Sequence, residues 1–274
     1  MIGRVALGEN PTARELTDFL QVELISGQLA AGEKLPSERT LAARFGVSRP
    51  TVREVLRTLE QQGLIEVLAG RGTFLRAPTA TDSTRPMDVL YRRRNATARE
   101  VNDARLMLET HGAALAAASA TREEIAALGR TLAAFDGATT LVNRASQDIA
   151  FHLQIARASR NVVIESMFLS ICGLAFELML RSLADPAVYN EGGPLHHNIL
   201  HAISAGDAAA AALAMREHLS VAERRFGVDL DVSLDLLARR ELERSLGPSA
   251  SLDAVLEAAL NLATEGQAEQ PWYR

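Results

Sequence analysis

Asp148 and His152 stand four positions apart in a stretch of helical apolar period, so on a helix a carboxylate and an imidazole project from one face toward one point. Those donor types suit a divalent metal ion, and a hydrogen-bonded core pair is the plainer reading. A second spacing of the same length puts Arg49 and Arg53 on one face at the start of another helical stretch. Guanidinium groups in that position can reach phosphates and guanine edges in the major groove of DNA, whereas a scattered charge cluster makes only a solvated face. Thr51, between them, can reach a phosphate, which the positive end of the helix dipole also favours.

The arginines need a helix delivered end-on, and the flanking sequence supplies one. Leu16, Phe19, Leu20, Val22 and Leu24 predict a first helix over Thr12 to Ser26, stopped by Gly27. Ser37 caps a second helix that buries Leu41, Ala42 and Phe45. After the turn Gly46-Val47, Ser48 caps a third with an apolar stripe of Val52, Val55, Leu56 and Leu59, and Pro50 falls in its first turn, where no helical bond is lost. Leu64 to Leu68, the turn Ala69-Gly70-Arg71-Gly72, and Thr73 to Leu75 read as a hairpin. Three helices and a hairpin make a winged helix-turn-helix over residues 1–76.

Residues 77–98 begin with a Thr-, Ala-, Ser- and Pro-rich stretch without apolar period and read as a linker. From 99 to 226 nearly every segment has helical period, with breaks at Gly137 to Thr140, Ser159 to Asn161 and Asp185 to Pro194, which predicts an all-helical antiparallel bundle. The fold class is mainly α. Residues 227–274 form a C-terminal extension, where Ser233 to Leu246 and Leu252 to Ala263 read as an amphipathic helical pair whose leucines are buried on this domain or in an oligomer contact.

Bulk properties set limits. At 274 residues, 47% apolar and 23% charged, the chain has the balance of a globular protein of two domains. Its net charge of −5 argues weakly against nucleic acid, but from Leu35 to Arg76 seven arginines face four glutamates, a local charge of +3. The single cysteine, Cys172, allows no intrachain disulfide and reads as a buried apolar residue. No signal-peptide succession opens the sequence, and the most apolar segment, Val162 to Leu180, is interrupted by Glu165 and Glu177 and reads as a buried helix. A cytoplasmic location without a membrane partner is the expectation.

The strings Leu35-Pro36-Ser37-Glu38-Arg39, Gly46-Val47-Ser48-Arg49-Pro50-Thr51-Val52-Arg53 and Gly70-Arg71-Gly72-Thr73-Phe74 resemble the GntR family of bacterial transcription regulators. The resemblance implies a regulator that binds operator DNA through Arg39, Ser48, Arg49, Thr51 and Arg53, with Gly70, Arg71 and Gly72 as a wing tip approaching the minor groove. It implies a homodimer, because one module buries too little surface to be selective and paired half-sites remedy that.

The second half is similar to the FCD ligand-binding domain of the FadR subfamily, through Arg105-xxx-Glu109, Asp148-xxx-His152, His196-xx-Ile199-Leu200-xx-Ile203, Gly206-Asp207 and Met215-xx-His218-Leu219. That resemblance brings His196 and His218 to the point shared by Asp148 and His152, with His197 as the other candidate for the third position. Three imidazoles and a carboxylate suit zinc, or nickel or manganese, better than calcium. By the same similarity Arg105 faces the cavity and grips an effector carboxylate, an organic or sugar acid, while an intrahelical pair with Glu109 is its plainer role. The implied function is repression of a carbohydrate-acid or organic-acid catabolic operon. A metal-independent regulator responding to an acyl thioester is the alternative, and a metal-dependent hydrolase is disfavoured because no motif supplies a general base.

Overall fold

Side-chain hydroxyls start the first three helices. In the computed structural model, which describes residues 11–27, 29–77, 79–231, 233–234 and 252–262, Thr12 closes a capping box with Glu15 at the head of α1 (Ala13–Ile25). Ser37 and Ser48 accept from the backbone N–H of Thr40 and Thr51 at the heads of α2 (Glu38–Phe45) and α3 (Arg49–Gln61). Gly46 ends α2 at φ +68°, a left-handed conformation that glycine adopts without strain and that turns the chain directly into α3. The stripe Val52, Val55, Leu56 and Leu59 shares one core with Leu16, Leu20, Leu24, Leu41 and Ile65. Val22, expected in the α1 stripe, is instead 66% exposed, because two positions from Leu20 and from Leu24 is the opposite side of a helix.

Strands β1 (Ile65–Leu68) and β2 (Gly72–Leu75) pair antiparallel with Ile65 opposite Leu75. The chain before α2 adds a third edge: Leu35 N–H donates to Thr73 O at 2.8 Å and Leu75 N–H to Glu33 O at 2.9 Å. Helices and wing therefore share both a core and a backbone ladder.

Two compact units divide between Asp82 and Ser83. The stretch read as a linker contains a helix, α4 (Ala80–Arg93). Its attachment is polar, which is why no apolar period marked it. Thr84 Oγ1 donates to Leu169 O at 2.9 Å, Arg92 Nε donates to Asp88 at 2.8 Å, and Arg92 also pairs with the buried Glu177.

The second unit continues with α5 (Ala98–Ser119), α6 (Arg122–Asp136), α7 (Leu141–Ala158), α8 (Val162–Ala184), α9 (Pro186–Gly192), α10 (Leu195–Ser204), α11 (Ala208–Phe226), a 3-10 turn (Gly227–Asp231) and α12 (Leu252–Leu262). α5 packs chiefly on α11, and α7 lies between α6 and α8. Ala113, Leu132, Phe135, Phe151, Ile199 and Met215 belong to one core. α8 is long and apolar enough to cross a membrane by composition alone, yet Phe168, Cys172, Phe176 and Leu180 are buried in the bundle. Burial pushes the Cys172 thiol well above its ordinary range.

Two expectations need correction or completion. The break expected from Asp185 to Pro194 holds α9, because Asp185 accepts from the N–H of Ala187 and Val188 and Pro186 occupies the first turn. Of the expected C-terminal helical pair, residues 235–251 lie outside those described. α12 packs on α7 and α8 of its own unit, burying Ala259 and Leu260.

Candidate nucleic-acid interface and candidate metal centre

The start of α3 presents Arg49 and Arg53 to solvent, with side chains 59% and 55% exposed. Both are tied to Glu38 on α2. Arg53 Nε donates to its two oxygens at 2.9 and 3.1 Å, and Arg49 Nη2 reaches one at 3.5 Å. The hydrogen bond from Arg53 is the main cause that holds the Glu38 carboxyl below its usual range. The pair is thus fanned from a shared anchor, which orders the guanidinium groups without burying them. Arg39 is exposed one position after Glu38. Ser48 and Thr51 share a hydroxyl contact of 2.8 Å at the helix start, so their roles there are first structural.

At the wing, Gly70 and Gly72 take φ of +73° and +117°. A side chain at Gly72 is disfavoured by that backbone, and its Cβ would also displace the flexible end of Lys34, whose Cε would stand 2.7 Å away. Exposed Arg71 and Lys34 place their charges 5.9 and 5.7 Å from the Phe74 ring. Lys34 was not singled out from the sequence. Its position just ahead of Leu35-Pro36-Ser37 was visible, but its neighbourhood with Phe74 depends on the third edge of the sheet.

In the second unit, α7 supplies Asp148 and His152, α10 supplies His196 and α11 supplies His218, and one ligand atom from each lies within 4.8 Å of all the others. His197, the other candidate for the third position, points away and pairs with exposed Asp136 at 3.1 Å. His196 Nε2 lies 2.7 Å from Asp148 Oδ1, and His152 Nε2 lies 3.5 Å from the same oxygen. The outer nitrogens have partners of their own. His196 Nδ1 donates to Gly193 O at 3.0 Å and His218 Nδ1 to Gly192 O at 3.3 Å, while His152 Nδ1 lies against Glu109. The end of α9, missed in the sequence, is therefore what aims two of the three rings.

This arrangement fits a cation. A carbonyl only accepts, so Nδ1 of His196 carries a hydrogen, and in a neutral ring its Nε2 is a lone pair facing a carboxylate oxygen 2.7 Å away. Two acceptors at that distance need a positive centre, either a second proton on the ring or a metal ion. Three imidazoles with centroids 4.1 to 5.7 Å apart cannot all take a second proton: burial first, and then the charges of His196 and His152, hold His218 far below its ordinary range and neutral. Burial works against the Asp148 carboxylate, yet His196 and His152 hold it well below its usual range and ionised. The neutral His218 and the ionised Asp148 are in states that coordinate metal; burial works against a charged His152, yet Glu109 and Asp148 hold its pKa above the ordinary value, so an ion held there would displace a proton from that ring.

Arg105 lies beside these residues, 4% exposed, and lines with Asp148, His196, His218, Tyr189 and Met179 a narrow, partly open pocket of about 40 Å³. Its Nε donates to Glu109 at 2.6 Å, so the plainer expectation for this pair holds. Its Nη2 is buried without a hydrogen-bond partner.

Comparison with known proteins gives two family matches. Residues 12–75 match "Bacterial regulatory proteins, gntR family", and residues 100–221 match the FCD domain. The putative L-lactate dehydrogenase operon regulatory protein of Escherichia coli (strain K12) is 33% identical over 218 residues, 75% of this chain and 83% of that protein. The Glc operon transcriptional activator of the same strain is 31% identical over 179 residues, covering 63% and 70%. Among solved structures, Streptococcus agalactiae GntR superposes with a TM-score of 0.62 at 24% identity, over 77% of this chain and 99% of that one, which establishes a common fold.

Proposed function

Because the chain belongs to the GntR family of bacterial regulatory proteins and carries an FCD domain, we propose that it is a cytoplasmic homodimeric repressor whose operator affinity changes when a small carboxylate binds at a zinc centre in its helical unit. That it is a DNA-binding transcription regulator and not an enzyme follows from the family itself.

On the DNA side, Arg49 and Arg53 read base edges in the major groove, Arg39, Ser48 and Thr51 set the register on phosphates, and Gly70, Arg71 and Gly72 bring the wing to the minor groove. A bidentate arginine contact to guanine discriminates by about 1–3 kcal/mol, too little for one module to select an operator, which is the argument for two copies. On the effector side, Asp148, His152, His196 and His218 hold the ion, and zinc is favoured by three nitrogen donors and one oxygen. Bound there, the metal acts as an electrophilic anchor for a ligand oxygen. Arg105 turns its free Nη2 edge to the same carboxylate.

The observation that carries this reading is the shared pocket: Arg105, whose Nη2 is buried without a partner, lines it together with Asp148, His196 and His218 of the three-imidazole, one-carboxylate cluster. A small pocket that holds Arg105, Asp148, His196 and His218 among apolar neighbours suits the carboxylate of a small hydroxy acid or sugar acid, and its volume is too small for a long acyl chain. The name of one relative, "Putative L-lactate dehydrogenase operon regulatory protein", points the same way.

The test is a titration of operator binding with L-lactate, glycolate, hexuronates and dicarboxylates, on metal-loaded and chelated protein. One acid class shifts operator affinity in the loaded protein alone. Silence toward every acid refutes the effector assignment, and equal metal content in the wild type and a His152→Ala, His218→Ala variant refutes the metal centre. A reporter strain in which deletion of the gene lowers expression of the target operon, as expected of an activator, refutes repression.

A further inference from the structure

Glu109 connects two elements of the pocket that the reading above treats separately. Its side chain is 2% exposed on α5, with one oxygen accepting from Arg105 Nε at 2.6 Å and the other against His152 Nδ1 on α7. A carboxylate so deeply buried persists only when paired, and Arg105 alone is enough to pair it. The second contact is therefore not demanded by burial. Its consequence falls on His152.

An imidazole that donates Nδ1–H outward presents Nε2 as a lone pair. For His152, Nε2 is the nitrogen beside Asp148, on the side of the cluster. His196 and His218 are aimed by carbonyls of Gly193 and Gly192, at 3.0 and 3.3 Å. Among the described residues, His152 is the ring of the three whose outer nitrogen faces an ionisable side chain on another helix. A carboxylate in this role fixes the tautomer as a carbonyl does and also makes the ring a stronger donor to metal. Arg105, by anchoring the other oxygen, fixes the direction in which the carboxylate points.

We propose that Glu109 is a positioning residue for the metal centre, which holds His152 in its Nδ1–H form with Nε2 directed at the ion while Arg105 locks the carboxylate in place. The proposal rests on the metal-centre reading above. A ligand that draws Arg105 toward itself acts on the same carboxylate that aims His152, so the pocket and the centre meet at one side chain.

The test uses the full chain. Zinc affinity is measured by competition with a chromophoric chelator for the wild type and for Glu109→Gln, with Asp136→Asn, beside the outward His197, as a control. Glu109→Gln weakens zinc roughly 10- to 100-fold and shifts the visible absorption of the cobalt-substituted protein, while Asp136→Asn changes neither. Wild-type zinc affinity and an unchanged cobalt spectrum in a folded Glu109→Gln protein overturn this inference and leave the metal centre standing. A wild type that binds no zinc overturns both. If Glu109→Gln does not fold, ¹⁵N-histidine spectra of the zinc-loaded wild type decide: His152 protonated at Nδ1 and metal-bound at Nε2 supports the inference, and metal at Nδ1 overturns it.

Discussion

Glu38 and Glu109 each join two nitrogen-bearing side chains, in opposite surroundings. Glu38 joins Arg49 and Arg53 at the surface of the first unit, where its partners are more than half exposed. Glu109 joins Arg105 and His152 in the interior of the second, where all three are nearly inaccessible. An exposed ion pair contributes only about 0–1 kcal/mol, so Arg49 and Arg53 can exchange Glu38 for phosphate or guanine at little cost. A buried pair broken on one side costs about 3–5 kcal/mol, so the groups around Glu109 stay in place until a ligand of comparable polarity replaces a partner. The surface proposed to read DNA is loosely ordered by charge, and the centre proposed for an ion and a small acid is built in advance.

Removing the cations at the surface is the strongest way to test that contrast. Arg49→Ala with Arg53→Ala loses two base contacts worth about 1–3 kcal/mol each, so operator affinity measured by fluorescence anisotropy falls roughly 10²- to 10⁴-fold. Zinc affinity and the thermal unfolding of the protein remain as in the wild type, since neither arginine contributes to the core of its unit. Selective operator binding that survives both substitutions in a folded protein breaks the assignment of α3 as the reading helix.

Next in size is removal of the metal. A ligand at about a thousand times its Kd stabilises the folded state by about 4 kcal/mol. Calorimetric unfolding with zinc in excess therefore raises the transition of the second unit by several degrees over chelated protein and leaves that of the first unit in place. His152→Ala with His218→Ala abolishes the difference. A shift of both transitions together contradicts the view that the two sites belong to independently built units.

The same contrast accounts for what could be read from the sequence. Around Glu38 the signals are local: Ser37 and Ser48 as caps, Gly46 as a turn, and the spacing of Val52, Val55, Leu56 and Leu59 lie within a few residues of what they determine. Even so, the link from Glu38 to Arg53 crosses from one helix to another, and neither residue type nor spacing announces it. In the interior, Asp148 and His152 are legible as an i, i+4 pair, while the addition of His196 and His218 came from family resemblance. Glu109 was noticed only as a partner of Arg105, because its contact with His152 depends on how α5 meets α7. α4 escaped because polar groups such as Thr84 and Arg92 fasten it, without an apolar stripe. α9 escaped although Asp185-Pro186 is a sound start signal, since Gly192-Gly193-Pro194 made the whole stretch resemble a loop.

A smaller effect comes from the wing. Arg71 is exposed beside Phe74 and has no ion-pair partner among the described residues, so its charge is available to a phosphate. Arg71→Ala weakens operator binding only several-fold, and the plot of log affinity against log salt becomes shallower by about one unit, as expected when one phosphate contact is lost. An unchanged slope with unchanged affinity removes Arg71 from the interface and leaves the α3 contacts to carry the binding.

The smallest effect is also the most direct comparison of the two glutamates. Glu38→Gln removes an exposed charge, so chemical denaturation changes by no more than about 1 kcal/mol. Its effect on DNA has two parts of opposite sign. Losing a negative charge near the phosphates strengthens binding to random duplex modestly, whereas losing the anchor lets Arg49 and Arg53 sample more orientations and lowers the preference for operator over random DNA. The ratio of the two affinities therefore falls while the random-sequence affinity rises. A loss of stability above about 2 kcal/mol, or an unchanged ratio, shows instead that Glu38 belongs to the structure of the unit and not to the ordering of its reading surface.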